Sequence, residues 1–203
     1  DGGGAWTLGV VMATRVCRER KTLVIVDAER RFYPPAAARL GLELNRSIVV
    51  RPGGRRDAHQ AIVQSLRCTA VGALLTWEER LSMREFRRLQ LAAETGGAVA
   101  ILLRPCGALR LPSCAAVRLL VSPESRHHAP RDGIASREAS RLLWRPSPDR
   151  PSLRRMRVEV LRCPGRVCGQ SLILEIDDET GHVRVPACVA PATVVARAAR
   201  ASG

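Results

Sequence analysis

The feature that most constrains the fold is an alternation of short apolar runs with amphipathic stretches over the first hundred residues. Four apolar runs are each long enough for one strand: Leu23–Asp27, Ser47–Arg51, Val71–Thr76 and Ala98–Leu103. Continuous apolar runs suit strands that are buried on both faces, and helix-length connections join parallel neighbours. The pattern therefore predicts an α/β fold with a mainly parallel sheet flanked by helices on both faces.

The segments between these runs carry signals for the first turns of helices. Proline fits the first turn, small polar residues cap it, and a serine followed three residues later by glutamate forms a capping box. Three predicted helices have such signals: Pro34 and Pro35 before Ala36–Leu40, Asp57 before Ala58–Cys68, and Ser82 with Glu85 before a helix that runs to about Glu94.

The pattern changes after residue 121, where the βα core of residues 1–121 ends with a candidate fifth strand, Ala115–Val121. Residues 122–151 are rich in Pro, Arg and Ser and predict a loop or insertion. Charged and apolar residues alternate in Arg154–Arg162, which predicts a half-exposed strand. Gln170–Ile176 and His182–Val185 follow as further strands. We therefore predict one domain, with antiparallel strands over residues 152–190 and a fraying tail over 191–203.

The chain begins with a glycine run, Gly2, Gly3 and Gly4, followed by a predicted helix, Ala5–Arg20. A glycine turn leading into a helix is typical of a loop that binds phosphate groups through backbone N–H groups. Such a loop also needs a lysine for the phosphates and a hydroxyl for magnesium. Ala5 and Trp6 occupy those two positions, so we expect a degenerate nucleotide site and no catalytic residue. We also expect a strand before the glycines, because the chain begins inside this loop.

The net charge is +14, which leaves two interpretations open. Clustered cations favour an anionic partner, most often nucleic acid, through release of counterions from phosphate. Only one of the 33 basic residues is a lysine, Lys21, and the arginines are dispersed along an Ala-, Gly- and Pro-rich chain. That skew is also typical of GC-rich coding, so the charge alone does not establish binding to DNA.

The seven cysteines do not form a recognisable zinc motif. Four residues separate Cys163 from Cys168, which is a loose spacing for zinc, and no second pair or nearby histidine completes a site. We expect reduced cysteines, no metal site and a cytosolic protein. No apolar run reaches eighteen residues, so no transmembrane helix is predicted.

Two sets of residues resemble known families. Thr22–Glu29, Ala38–Asn45 and Ile48–Pro52 look like the stretch that follows the nucleotide loop in RecA recombinases. A closer likeness is to the ImuA group, also described as SulA-like, whose members are RecA-related proteins without a working ATPase. The segments that resemble this group are Phe32–Pro35, Val50–Pro52, Phe86–Glu94 with Gly96 and Gly97, Arg157–Arg162 and Leu174–Ile176.

The resemblance implies a RecA-like core and a non-catalytic adaptor that needs no cofactor. It implies a role in the SOS response, in tolerance of DNA damage by error-prone translesion synthesis. The implied partners are RecA itself, an ImuB-like polymerase partner and an error-prone replicative-type polymerase, with DNA as a further candidate and no membrane. The implied location is cytoplasmic and nucleoid-associated. The alternative is a RecA-type nucleotide-dependent DNA-binding recombinase or ATPase.

The resemblance also assigns candidate positions in the degenerate site. Asp27 and Glu29 resemble the acidic pair at the end of the second core strand, where RecA keeps the glutamate that activates water. The other interpretation is that these acids pair with Arg30 or Arg31. Trp77 occupies the place of a magnesium-binding acid, and Arg104 the place of a polar sensor.

Five residues are candidates for contact with DNA or a protein partner. Arg154, Arg155 and Arg157 form the best candidate for phosphate contact, although two of them could simply lie on the solvent face of an alternating strand. Phe86 and Arg87 lie on the helix that follows Ser82, where we expect an exposed apolar surface for a protein partner.

Overall fold

The computed structural model describes residues 4–17, 21–124, 153–165, 168–177, 180 and 182–186. Its helices are α1 (Ala5–Val16), α2 (Pro34–Arg39), α3 (Arg55–Arg67) and α4 (Met83–Gly96). Its strands are β1 (Thr22–Val26), β2 (Ser47–Val50), β3 (Val71–Trp77), β4 (Val99–Leu103), β5 (Arg118–Pro123), β6 (Leu153–Arg162), β7 (Ser171–Asp177) and β8 (Val183–Arg184). Short 3₁₀ turns at Leu44–Arg46 and Cys106–Arg110 were not predicted. Most of the predicted insertion, the predicted tail and residues 18–20 lie outside the described residues.

Four strands form the predicted parallel sheet, in the order β2-β1-β3-β4. Its central strands are buried on both faces, because the side chains of β1 and β3 alternate between two separate core clusters. Helices α3 and α4 cover one face and form one cluster with that side of the sheet. The predicted α/β class, with helices on both faces and antiparallel C-terminal strands, is confirmed.

The other four strands form an antiparallel sheet in the order β5-β6-β7-β8. The predicted alternation in β6 is confirmed, since Met156 and Val158 are buried and Arg157 between them is exposed. The change of sheet falls before β5, whereas the sequence grouped the fifth strand with the βα core. Strand β5 pairs with β6, and its Leu119 and Val121 pack on the core between the two sheets.

Helix α1 lies between the two sheets, which explains its composition. It is apolar on nearly every side, as a helix must be when both sides are covered. Gly9 allows close approach to the parallel sheet, because a Cβ there would lie 3.2 Å from both Leu75 and Leu103. Met156, Val158 and Ile176 of the antiparallel sheet belong to the same core cluster. The two sheets therefore share one core through α1.

The predicted helix starts are confirmed at α4 but not at α3. The hydroxyl of Ser82 accepts a hydrogen bond from Glu85 N, and the Glu85 carboxylate accepts one from Ser82 N, which completes the capping box. Helix α3 begins at Arg55 with Gly54 as its N-cap, so the prediction of Asp57 as cap was wrong. Asp57 lies in the first turn, where a carboxylate favours the positive end of the helix dipole. No helix in the described part of the chain is long and apolar enough to cross a membrane.

Candidate functional site

The glycine turn before α1 packs against the antiparallel sheet. Gly4 is the N-cap of α1 with φ 79°, and no side chain caps the helix. A Cβ at Gly4 would lie 2.7 Å from Met156 Cε, so the buried side chain of Met156 rests on the turn itself. Arg154 reaches the same helix end, with its Nη1 3.4 Å from Thr7 Oγ1. Gly2 and Gly3 lie outside the described residues.

The residues at this turn do not fit the phosphates of a nucleotide. Ala5 offers a methyl group where a phosphate-binding loop has its lysine, and Trp6 offers an indole ring where the hydroxyl would be. Trp6 Nε1 is buried and has no hydrogen-bond partner among the described residues. The described part of the turn therefore lacks the lysine that would hold the phosphates of a nucleotide.

Asp27 is buried at the end of β1 and stabilises the loop that follows. Its carboxylate oxygens accept hydrogen bonds from the main-chain N–H groups of Arg31, at 2.7 Å, and Phe32, at 3.0 Å. Glu29 forms an ion pair with Arg31, as one of the two sequence interpretations proposed. In this geometry both acids stabilise the loop that follows β1.

Arg104 holds the loop after β3. Its Nε donates to the carbonyl of Glu78 at 3.3 Å and its Nη2 to the carbonyl of Glu79 at 2.9 Å. Its guanidinium also lies 5.4 Å from the centroid of the Phe86 ring, in cation–π range. Burial raises the pKa of the Glu78 carboxyl above its ordinary value, although Arg55 and Arg104 oppose this. The position assigned to a sensor is thus occupied by a side chain that fixes a loop.

The expected exposure of Phe86 was wrong. Phe86 is 4% exposed and lies in the core between α3, α4 and the parallel sheet. Its spacing with Leu89 and Ala92 puts all three on the buried face of α4, a periodicity already present in the sequence. The exposed apolar residues of α4 are Met83 and Leu91 instead. Arg87 is exposed and donates to Gln90 Oε1 at 3.1 Å.

The three candidate arginines of β6 lie on different faces of the antiparallel sheet. Arg154 belongs to the inner face with Met156 and reaches α1. Arg155 and Arg157 belong to the outer face, where Arg155 binds the Glu175 carboxylate and Arg157 binds the Glu124 carboxylate through two nitrogens at 3.2 Å. The carboxylates offset much of the positive charge on this strand, and contact between these arginines and DNA stays a prediction.

Sequence reasoning missed an aromatic groove at the carboxyl edge of the parallel sheet. Trp6 at the start of α1, Tyr33 before α2 and Trp77 at the end of β3 line an open groove of about 360 Å³, together with Arg31 and Ala36. These three rings are half of the six aromatic side chains in the chain. The sequence signal for this groove was that each of the three aromatic residues lies beside a predicted strand end or helix start.

A second pocket, of about 240 Å³, lies at the opposite end of α1. Its lining includes Lys21, Arg46 and Cys17, and burial raises the pKa of the Cys17 thiol. Arg46 is already engaged with the Lys21 carbonyl and the Glu43 carboxylate. Within the described ranges, no group of three or more His, Cys, Asp or Glu residues could hold a metal ion.

Comparison with solved structures identifies the fold. The RadB recombinase matches with a TM-score of 0.52 and 15% identity, over 88% of this chain and 84% of RadB. SulA from Pseudomonas aeruginosa matches with a TM-score of 0.45 and 20% identity, over 51% of this chain and 90% of SulA. No family model and no curated protein sequence matches the chain. At this identity the likeness to RadB concerns architecture alone, and on that ground the chain has a RecA-like fold.

Proposed function

We propose that this protein is a non-catalytic RecA-like adaptor in SOS DNA damage tolerance. It acts in error-prone translesion synthesis through contacts with RecA and with an ImuB-type polymerase partner. The observation that carries the proposal is the use of the nucleotide-site positions for internal packing. Met156 covers Gly4, the Asp27 oxygens bind their own loop, and Arg104 ties down the loop after β3. A protein that keeps this core without the phosphate contacts would act through contacts between its surface and other proteins.

The edge strand β2 is the best surface for a protein partner. Ile48 is 54% exposed and Val49 38% exposed, and the two side chains point to opposite faces of the sheet. Parallel sheets are normally covered on both faces, and exposed apolar edges invite pairing with another chain. An apolar edge that is open on both faces therefore supports an adaptor that works by protein contact.

Calorimetry with Mg-ATP tests the absence of a nucleotide site. We expect no binding heat from the wild type, and none from the double variant Ala5→Lys/Trp6→Thr. The double variant restores the lysine and the hydroxyl, but Met156 still packs on Gly4. Saturable binding by the wild type would overturn the proposal in favour of a RecA-type ATPase. Binding by the double variant alone would be compatible with the adaptor function, but it would show that Met156 does not block the glycine turn.

Capture of partners tests the adaptor directly. The purified chain should retain RecA filaments or the polymerase partner on a resin, and Ile48→Arg should abolish this retention. Val99→Arg is the matched control, because Val99 is 43% exposed on β4 at the opposite edge of the same sheet. If the wild type retains neither partner, the adaptor function is wrong. Equal loss in both variants would exclude the β2 edge as the contact surface.

A further inference from the structure

In the aromatic groove at Trp6, Tyr33 and Trp77, the two tryptophans are partly buried and pack against the core cluster that includes α1, whereas Tyr33 is the exposed ring. The largest fully buried side chains are aliphatic apart from Met156 and Asp27, so none of the three rings is itself a fully buried core residue. Tyr33 is 63% exposed, beside a buried Phe32. In a chain with only 3% aromatic residues, packing against the core accounts for the two tryptophans but not for the exposed Tyr33 ring that lines the same groove.

The loop that carries Arg31 and Tyr33 is held in one conformation. Asp27 fixes the main chain at Arg31 and Phe32, and the Phe32 side chain is anchored in the core. Arg30 has φ 56°, the only non-glycine residue with positive φ in the described part of the chain. Such a conformation is costly and concentrates at functional sites. A rigid loop loses little freedom on binding, which favours recognition.

Arg31 gives the groove a cation that could hold an anionic occupant. Arg31 is the only charged residue among the groove-lining residues that the structure describes, and the whole chain carries +14. The ion pair of Arg31 with Glu29 is largely exposed, with both side chains more than 40% accessible. Exposed ion pairs are weak, so Arg31 can exchange this carboxylate for a phosphate.

We propose that this groove binds single-stranded nucleic acid. An unpaired base stacks on Tyr33 and Trp77, and Arg31 holds the adjoining phosphate. Aromatic rings with a neighbouring cation accept any base, because every base has a flat face, but a duplex keeps its bases stacked inside. Proline-rich peptides also dock in aromatic grooves. A cation as the single charged lining group, on a strongly basic chain, favours the phosphate-bearing ligand.

Binding of a fluorescein-labelled oligodeoxythymidine of about 15 nucleotides tests the groove. A Trp144→Phe background leaves Trp6 and Trp77 as the only tryptophans, so their emission reports on the groove. We expect quenching on binding and an affinity that falls with salt. Tyr33→Ala should weaken binding about tenfold, through loss of one stacking contact. Tyr33→Phe keeps a ring and should bind like the background protein.

Arg67→Ala is the control for net charge, since Arg67 is exposed at the end of α3, on the other face of the parallel sheet. It should change the affinity less than about twofold. The proposal that the groove binds single-stranded nucleic acid would be overturned if Arg67→Ala and Tyr33→Ala weakened binding equally. It would also be overturned if duplex DNA bound as tightly as single-stranded DNA. Quenching by an acidic proline-rich peptide without quenching by the oligonucleotide would overturn it as well. The adaptor proposal is tested separately, because it depends on capture of protein partners in the absence of DNA.

Discussion

Each of the two sheets buries one carboxylate, and the two are stabilised in different ways. Asp27, in the parallel sheet, is 1% exposed and binds main-chain N–H groups four and five residues further along the chain. Glu175, in the antiparallel sheet, is 4% exposed and binds Arg155 and Arg184 on the two neighbouring strands, at 2.7 and 2.8 Å. Main-chain groups close in the sequence thus stabilise Asp27, whereas side chains on other strands stabilise Glu175.

The difference follows from what covers each sheet. The inner strands of the parallel sheet are covered on both faces, so a charged side chain fits only at a strand end, where loop N–H groups can reach it. The antiparallel sheet packs one face on α1 and leaves the other open. Opposite charges on its outer face can therefore pair across neighbouring strands. An acid at the end of a parallel strand is thus no sign of catalysis until its partners are known.

The largest predicted effect tests whether the two sheets share a core. Met156→Ala should lower the free energy of unfolding by about 2–5 kcal/mol, because Met156 is fully buried between the antiparallel sheet and the glycine turn. Chemical denaturation followed by circular dichroism should still show a single transition. Leu172→Ala is the control, since Leu172 is 39% exposed in the same sheet, and should cost about 1 kcal/mol or less. Two separate transitions would show that the sheets unfold independently.

A smaller effect separates Asp27 from Glu29. Asp27→Ala should lower the free energy of unfolding by about 1–3 kcal/mol, because two N–H groups lose a charged acceptor. Glu29→Ala should change it by about 0.5 kcal/mol or less, since its ion pair is exposed. Thermal and chemical unfolding of both variants measure the difference. Equal effects would remove the structural role assigned to Asp27.

The smallest effect concerns pH and the antiparallel sheet. Hydrogen bonds from Arg155 and Arg184 hold the pKa of Glu175 below its ordinary value of 4.5. A depressed pKa in the folded state contributes stability above the unfolded pKa and loses it as the pH falls through the folded pKa. Glu175→Gln should therefore be less stable than the wild type at neutral pH, and the gap should narrow below about pH 4.5.

Glu124→Gln provides the comparison for this pH series. Glu124 also binds an arginine of β6, but its side chain is 24% exposed against 5% for Glu175. Its substitution should alter the pH dependence of unfolding less than Glu175→Gln does. If the gap between Glu175→Gln and the wild type stays constant through the acid range, the ionised carboxylate contributes nothing to folding.

Much of the candidate site followed from residue types at recognisable positions. The missing lysine and hydroxyl at Ala5 and Trp6, and the tryptophan at the end of β3, were visible without coordinates. The tertiary contacts that these residues make were not visible. Met156 lies about 150 positions from Gly4 along the chain, and no local pattern specifies that pair. The burial of Phe86 could have been predicted from its helical spacing with Leu89, whereas its contact with Arg104 could not.

The sequence by itself determined the main helices and strands, the parallel arrangement of β1 to β4 and the capping box of α4. These depend on side-chain period, on the length of connections and on hydrogen bonds between residues close in the chain. Tertiary structure alone decided that β5 joins the antiparallel sheet, that Arg154 reaches Thr7 of α1, and that three rings meet in one groove. The physical reason is that the hydrophobic effect is non-directional and favours burial of any apolar surface. Side-chain periodicity therefore shows which face of a helix or strand is covered. Only the tertiary packing decides which residues cover it.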